Sequence, residues 1–179
     1  MSMGPGLRKF VRTAHVIFTV GWLGAVAGFL ALALAGLTSQ DAQLVRAAYL
    51  AMELITRFVI VPLSLAPLLT GPILSLGTPW GLFRHYWILL KFLITILSTI
   101  ILLVHMQPIS YLSRVAAAGI LSSTDRGAQI QLVVAAAAGL LALLVATALA
   151  VYKPRGMTPY GWRKQYEERT VSPDVDAAA

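Results

Sequence analysis

The chain has 179 residues, 58% hydrophobic and 12% charged, with a net charge of +7 and no cysteine. Globular domains carry roughly 25% charged residues, so the apolar excess points to a bilayer, whose core takes about 20 apolar residues per helix. The missing cysteines exclude disulfides, thiolate metal sites, iron–sulfur clusters and covalent c-type haem.

Four apolar runs follow in chain order. The first, Ala14 to Leu37, has a basic flank (Arg8, Lys9, Arg12) but is about twice the usual 7–15-residue core of a signal peptide. It reads as a retained helix. The second spans Ala51 to Leu76, the third Tyr86 to Met106, and the fourth Ile130 to Tyr152. Each reaches spanning length. The prediction is an all-α, up-down-up-down bundle of four transmembrane helices over residues 1–153, and a polar, partly disordered tail over 154–179.

The joints differ in character. Thr38 to Leu50 reads as a short loop, and Gly77 to His85 as a Gly/Pro-rich turn. Pro108 to Gln129 reads as a longer segment whose PISYLSRVAAAGIL stretch suits an interfacial helix. Lys and Arg collect at one side: Arg8, Lys9, Arg12, Arg84, Lys153, Arg155, Arg163, Lys164 and Arg169. The other side has Arg46, Arg114 and Arg126. The positive-inside rule puts the first side, and both ends of the chain, in the cytoplasm. Because the cations flank apolar runs, the expected partner is a lipid bilayer and not nucleic acid.

Charged groups in a membrane usually face a bundle interior or a cavity. At roughly 100° per residue, Arg84, Trp87, Lys91, Thr95, Ser98 and His105 share one face of the third helix. Lys91 and His105 are about 21 Å apart along the axis, too far to share one small site. On the second helix Glu53, Arg57, Ser64, Gly71 and Ser75 share a face, with Glu53 and Arg57 at ion-pair spacing. On the first, His15, Thr19, Trp22 and Phe29 face one way and Gly21, Gly24 and Gly28 the other. The glycines permit close packing on a neighbouring helix or a second copy. Two polar clusters are expected: His15 with Lys91, rimmed by Arg12 and Arg84, and His105 with Glu53, Arg57 and Gln107.

Each residue has two readings. His15 and His105 read as cofactor ligands through a ring nitrogen, or as histidines hydrogen-bonded to a headgroup or neighbour. Lys91 reads as a partner for an anionic group, or as a snorkelling side chain. Glu53 and Arg57 read as a structural ion pair, or as a proton- or ligand-handling pair. His85 reads as a surface residue of the turn.

RTAHVIFTVGWLGAVAGF resembles the opening helix of a set of four-helix bacterial membrane proteins that includes the copper-resistance D domain and the haem-containing bacterial protoporphyrinogen oxidase. In the oxidase a first-helix histidine and a third-helix lysine in a W-x-x-x-K context are the functional pair. His15 and Trp87-x-x-x-Lys91 match those positions, while the arginine expected later in the first helix is missing, since Phe29 to Ala33 are all apolar. The segments GTPWGLFRHYW, HMQPISYL and VYKPRGMTPYGWRKQ are similar, along almost the whole chain, to an uncharacterised bacterial integral membrane family. The resemblance implies a bacterial inner-membrane protein. That closer likeness supplies topology and no activity; the likeness to the oxidase implies haem b or a related porphyrin in the bundle, with His15 on the iron and Lys91 on a propionate. A non-catalytic accessory subunit of a larger membrane complex, or a homo-oligomer, is the alternative; a small ion or metal path along the polar stripe is the second.

Overall fold

The computed structural model describes residues 4–77, 81–154 and 156–171. Among them the fold is all-α, as expected. The helices are α1 (Pro5–Thr38), α2 (Ala42–Ile55), α3 (Val61–Leu76), α4 (Tyr86–Ala117), α5 (Arg126–Tyr152) and α6 (Pro159–Val171). A π-turn, Thr56–Ile60, joins α2 to α3 in one continuous span. Four helices are long and apolar enough to cross a membrane: α1, the α2–α3 span, α4 and α5 with its preceding turn. They form a ring in which α1 and α4 each pack against the α2–α3 span and against α5. His15 and Lys91 therefore stand on opposite corners of the bundle. The end that carries Arg8, Lys9, Arg12 and Lys153 is the basic end below.

Several boundaries differ from expectation, each for a local reason. Helix α1 begins at Pro5, a residue suited to a first helical position because its missing N–H has no partner to lose there. The expected loop Thr38 to Leu50 is mostly helix, since Asp41 caps α2 by accepting from the Gln43 N–H at 2.8 Å. PISYLSRVAAAGIL is no separate interfacial helix: α4 runs through Pro108 to Ala117 and stops before Gly119, whose φ is 70°. Helix α5 starts at Arg126, ahead of Ile130, behind a capping box of Ser122 and Asp125. Tyr111 donates to that Asp125 at 2.9 Å, tying the joint to α4.

The tail carries α6 and docks on the turn before α4. Thr158 N–H donates to the Arg84 carbonyl at 3.0 Å, and His85 pairs with Met157 in an isolated antiparallel bridge. His85 is thus a half-buried docking residue, not a surface one. A Cβ on Gly161 would lie 2.4 Å from the Arg84 carbonyl oxygen, so this approach needs glycine. GTPWGLFRHYW and VYKPRGMTPYGWRKQ are therefore two halves of one joint. Residues 78–80 of the first, Arg155 of the second and the stretch expected to be disordered from 172 onward lie outside the described residues.

The π-turn has a visible cause. It immediately precedes Pro62, whose ring crowds the carbonyl four residues back, and the Val61 N–H reaches five residues back to Thr56. Met52, Thr56, Ile60 and Ser64 are all buried at four-residue steps. In an α-helix each such step overshoots a turn by about 40°; the wider turn keeps all four inward. It also overturns the expected shared face of Glu53, Arg57, Ser64, Gly71 and Ser75. Ser64 is buried, whereas the Arg57 side chain is 51% exposed.

The core is densest away from the basic end. Tyr49 fills a notch in α1 at Gly36, where a Cβ would lie 2.9 Å from the ring. Met52, Leu112 and Leu132 pack in the same cluster. Toward the basic end the buried residues thin to Ser64, Pro67, Ile88 and Ala146. Trp22, Val26 and Phe29 face inward, so the histidine face of α1 wins the interior. Gly21 packs on Leu63, but Gly24 and Gly28 have nothing within 4 Å of a Cβ.

Gly36→Val forces a β-branched side chain into the Tyr49 ring, an overpacking that costs about 1–3 kcal/mol. It is expected to lower the thermal midpoint in detergent by several degrees. Gly24→Ala adds its methyl to open space and is expected to leave the midpoint unchanged or higher.

Candidate functional site

The thinning of the core leaves a cavity of about 620 Å³ at the basic end. Arg8, Arg12 and His15, at i, i+4 and i+7 of α1, give it one wall. Trp87, Lys91 and Thr95, at the same kind of spacing on α4, give it the opposite wall. Gly71 and Ser75 of α3 and Lys153 at the end of α5 complete it. Arg8, Lys9, Arg12, Lys91 and Lys153 line this cavity, and among the described residues no Asp or Glu does.

Three of these cations sit where helix energetics disfavours them. Arg8 and Lys9 lie in the opening turns of α1, where no acidic residue accompanies them. Cations near a helix N-terminus oppose its dipole by about 0.3–1 kcal/mol each. Lys153 ends α5 in the left-handed conformation, with φ 44°, which costs a residue with a Cβ about 1–2 kcal/mol. Lys91 makes no side-chain hydrogen bond or ion pair with a described residue; its carbonyl accepts from Thr95 at 2.9 Å. The arrangement concentrates positive charge around a partly apolar hollow, a setting that favours anions.

The tautomer of His15 follows from its partners. Thr70 donates its hydroxyl proton to the Ala66 carbonyl at 2.8 Å. Its Oγ1 is then free to accept from His15 Nδ1 at 2.8 Å. The proton therefore belongs on Nδ1, and Nε2 keeps a lone pair. A carbonyl or hydroxyl acceptor behind one ring nitrogen is the arrangement that orients metal-binding histidines. It serves a hydrogen-bond acceptor equally well. Thr19 shares this face and donates to the His15 carbonyl at 2.7 Å.

The expected polar stripe of α4 divides between two cavities. Trp87, Lys91 and Thr95 line the basic one, while Ser98 and His105 line a second, of about 660 Å³, among α1, α4 and α5. His15 and Lys91 come together as expected, with Arg12. Arg84 does not line the cavity, and its carbonyl serves the α6 joint. The expected grouping of His105 with Glu53 and Arg57 does not form. Glu53 and Arg57 pair at 2.8 Å and both bond Ser110, on another face of α4. Gln107 is exposed. His105 instead bonds the Ile101 carbonyl at 2.8 Å. Among the described residues no three of His, Cys, Asp and Glu gather as a metal site.

No protein-family model, curated protein or solved structure matches the chain. The functional reading therefore rests on this geometry and on the residue chemistry.

Sequence reasoning missed Thr70 and the cavity-lining role of Arg8, Lys9 and Lys153. A hydroxyl beside Gly71, five residues before Ser75, was the available signal for Thr70. The Lys153–Pro154 pair after an apolar run signals a helix end but not where the lysine points. Thr70→Val removes the acceptor behind His15. In the wild type, ¹⁵N spectra of ring-labelled protein at neutral pH should show His15 with Nδ1 protonated and Nε2 bare; in Thr70→Val the preference should weaken or reverse.

Proposed function

We propose that the basic cavity binds a dianionic tetrapyrrole, haem b or a metal-free porphyrin, in a bacterial inner-membrane protein with both ends in the cytoplasm. The observation that carries this is the pairing of a histidine whose Nε2 lone pair is left free with a lining of five cations and, among the described residues, no acid. A porphyrin has an apolar macrocycle and two carboxylates, so it matches a hollow that is apolar in its body and cationic around it. The volume lies within the roughly 300–1,000 Å³ of small-molecule sites. The Lys- and Arg-rich side is the one retained in the cytoplasm, which puts the mouth where a carboxylate can arrive from water.

The residues fit the group. His15 Nε2 would ligate the iron, Lys91, Lys153 and Arg12 would meet the propionates, and Trp87 would supply an aromatic wall. A lone histidine suffices only because the macrocycle brings four nitrogens of its own. When bound, haem supplies one-electron chemistry. The protein's part is to fix the His15 tautomer through Thr70 and to neutralise the carboxylates.

A second reading, a non-catalytic subunit of a larger complex or a homo-oligomer, is favoured by Gly24 and Gly28, which present an outward face open to another helix.

Protein expressed with ample haem is expected to show a Soret band that sharpens on dithionite reduction, lost or shifted in His15→Ala. Metal-free protoporphyrin, followed by its fluorescence, should still bind His15→Ala and bind Lys91→Gln at least several-fold more weakly. A flat spectrum in the wild type, with no porphyrin binding, would favour the subunit reading.

A further inference from the structure

The second cavity is different in chemistry. It is a groove between α4 and α5 with Trp22 and Phe29 of α1 at its floor. The middle of its α5 wall carries the small residues Ala135, Ala138, Gly139 and Ala142, which leaves room there. Leu97, Ile101, Ile130 and Val134 at its rim are all exposed, so it opens sideways into the hydrocarbon of the membrane. Among the described residues no charged side chain lines it; its polar groups are Ser98, His105 and Gln131.

The state of His105 is set by one bond. The Ile101 carbonyl can only accept, so the His105 Nδ1 at 2.8 Å must carry the proton. In the neutral ring this tautomer leaves the lone pair on Nε2, and no described residue meets that nitrogen. His105 is not enclosed by protein, so on a lipid-facing groove a donor reaches Nε2 from outside the chain. Ser98 lies two turns away on the same face of α4, about 10 Å along the axis. The aromatic floor favours a ring over an aliphatic chain. The ligand this arrangement takes is uncharged, aromatic and lipid-borne, and carries a hydroxyl.

We infer that the groove binds a quinol, one hydroxyl donating to His105 Nε2, the ring against Trp22 and Phe29, and the apolar tail leaving between α4 and α5 into the bilayer. This binding is independent of any tetrapyrrole at the basic end, and the two sites are tested separately.

The test uses full-length protein in nanodiscs under anaerobic conditions. The probes are 2-decyl-1,4-hydroquinone and its dimethyl ether, which shares its shape but has no O–H donor. The hydroquinone is expected to move the ¹⁵N resonance of His105 Nε2 saturably and to bind at least tenfold tighter than the ether. His105→Leu should abolish that preference. Equal binding of the two probes would mean simple partition into an apolar groove and would overturn the proposal. So would a hydroquinone titration that leaves the Nε2 resonance still. The probe pair needs no mutation, so a misfolded variant leaves the proposal falsifiable.

Discussion

A cation in hydrocarbon costs about 2.5–3.5 kcal/mol on insertion scales, and this cost organises the basic half of the bundle. Lys91 lies about one and a half turns into α4, across the bundle from α1. It is tolerated because the helices do not close around it. The buried core thins there, and the resulting hollow gathers four further cations from α1 and α5. Cations so close repel one another, so the hollow is most stable when it holds water or an anion. The dense end obeys the opposite rule. Tyr49 in the Gly36 notch, with Met52 and Leu112 beside it, clamps α1, α2 and α4 together and allows the other end to stay open.

Two devices shape that open end. The π-turn before Pro62 sets the rotation of α3, and so brings Thr70 opposite His15. The docking of α6 on the turn before α4 ties the tail back to the bundle, and Lys153, left-handed at the end of α5, is where the helix stops. Both are backbone features whose effect is to position side chains. The imidazole tautomer, for example, depends on a threonine that touches nothing else in the cavity's chemistry.

The four spans were legible because long apolar runs can mean little else. The polar face of α4 was legible because a helix has one period and the stripe kept it from Trp87 to His105. Its partners were not, since nothing along α4 tells which neighbour stands opposite each turn. The second span misled for a definite reason: uniform α-geometry cannot foresee an extra residue in one turn, so Glu53 and Ser64 were placed on one face. Hydropathy also hid helix ends that capping chemistry announces, at Asp41 and at Ser122 with Asp125. The fit of Gly36 to Tyr49 and of Gly161 to the Arg84 carbonyl joins residues distant in the chain, and one sequence carries no sign of it.

A cation-lined cavity in the basic half of a membrane bundle should be open to water and select for anions. The absence of native cysteine allows a direct measurement. Single cysteines at Thr95, in the cavity, and at Leu97, on the lipid face, are reacted with anionic and cationic methanethiosulfonates. The account predicts that Thr95→Cys is modified from the basic side, faster by the anionic reagent than by the cationic one, and that Leu97→Cys is not modified. Equal protection of both positions, or a preference for the cationic reagent at Thr95→Cys, would contradict it.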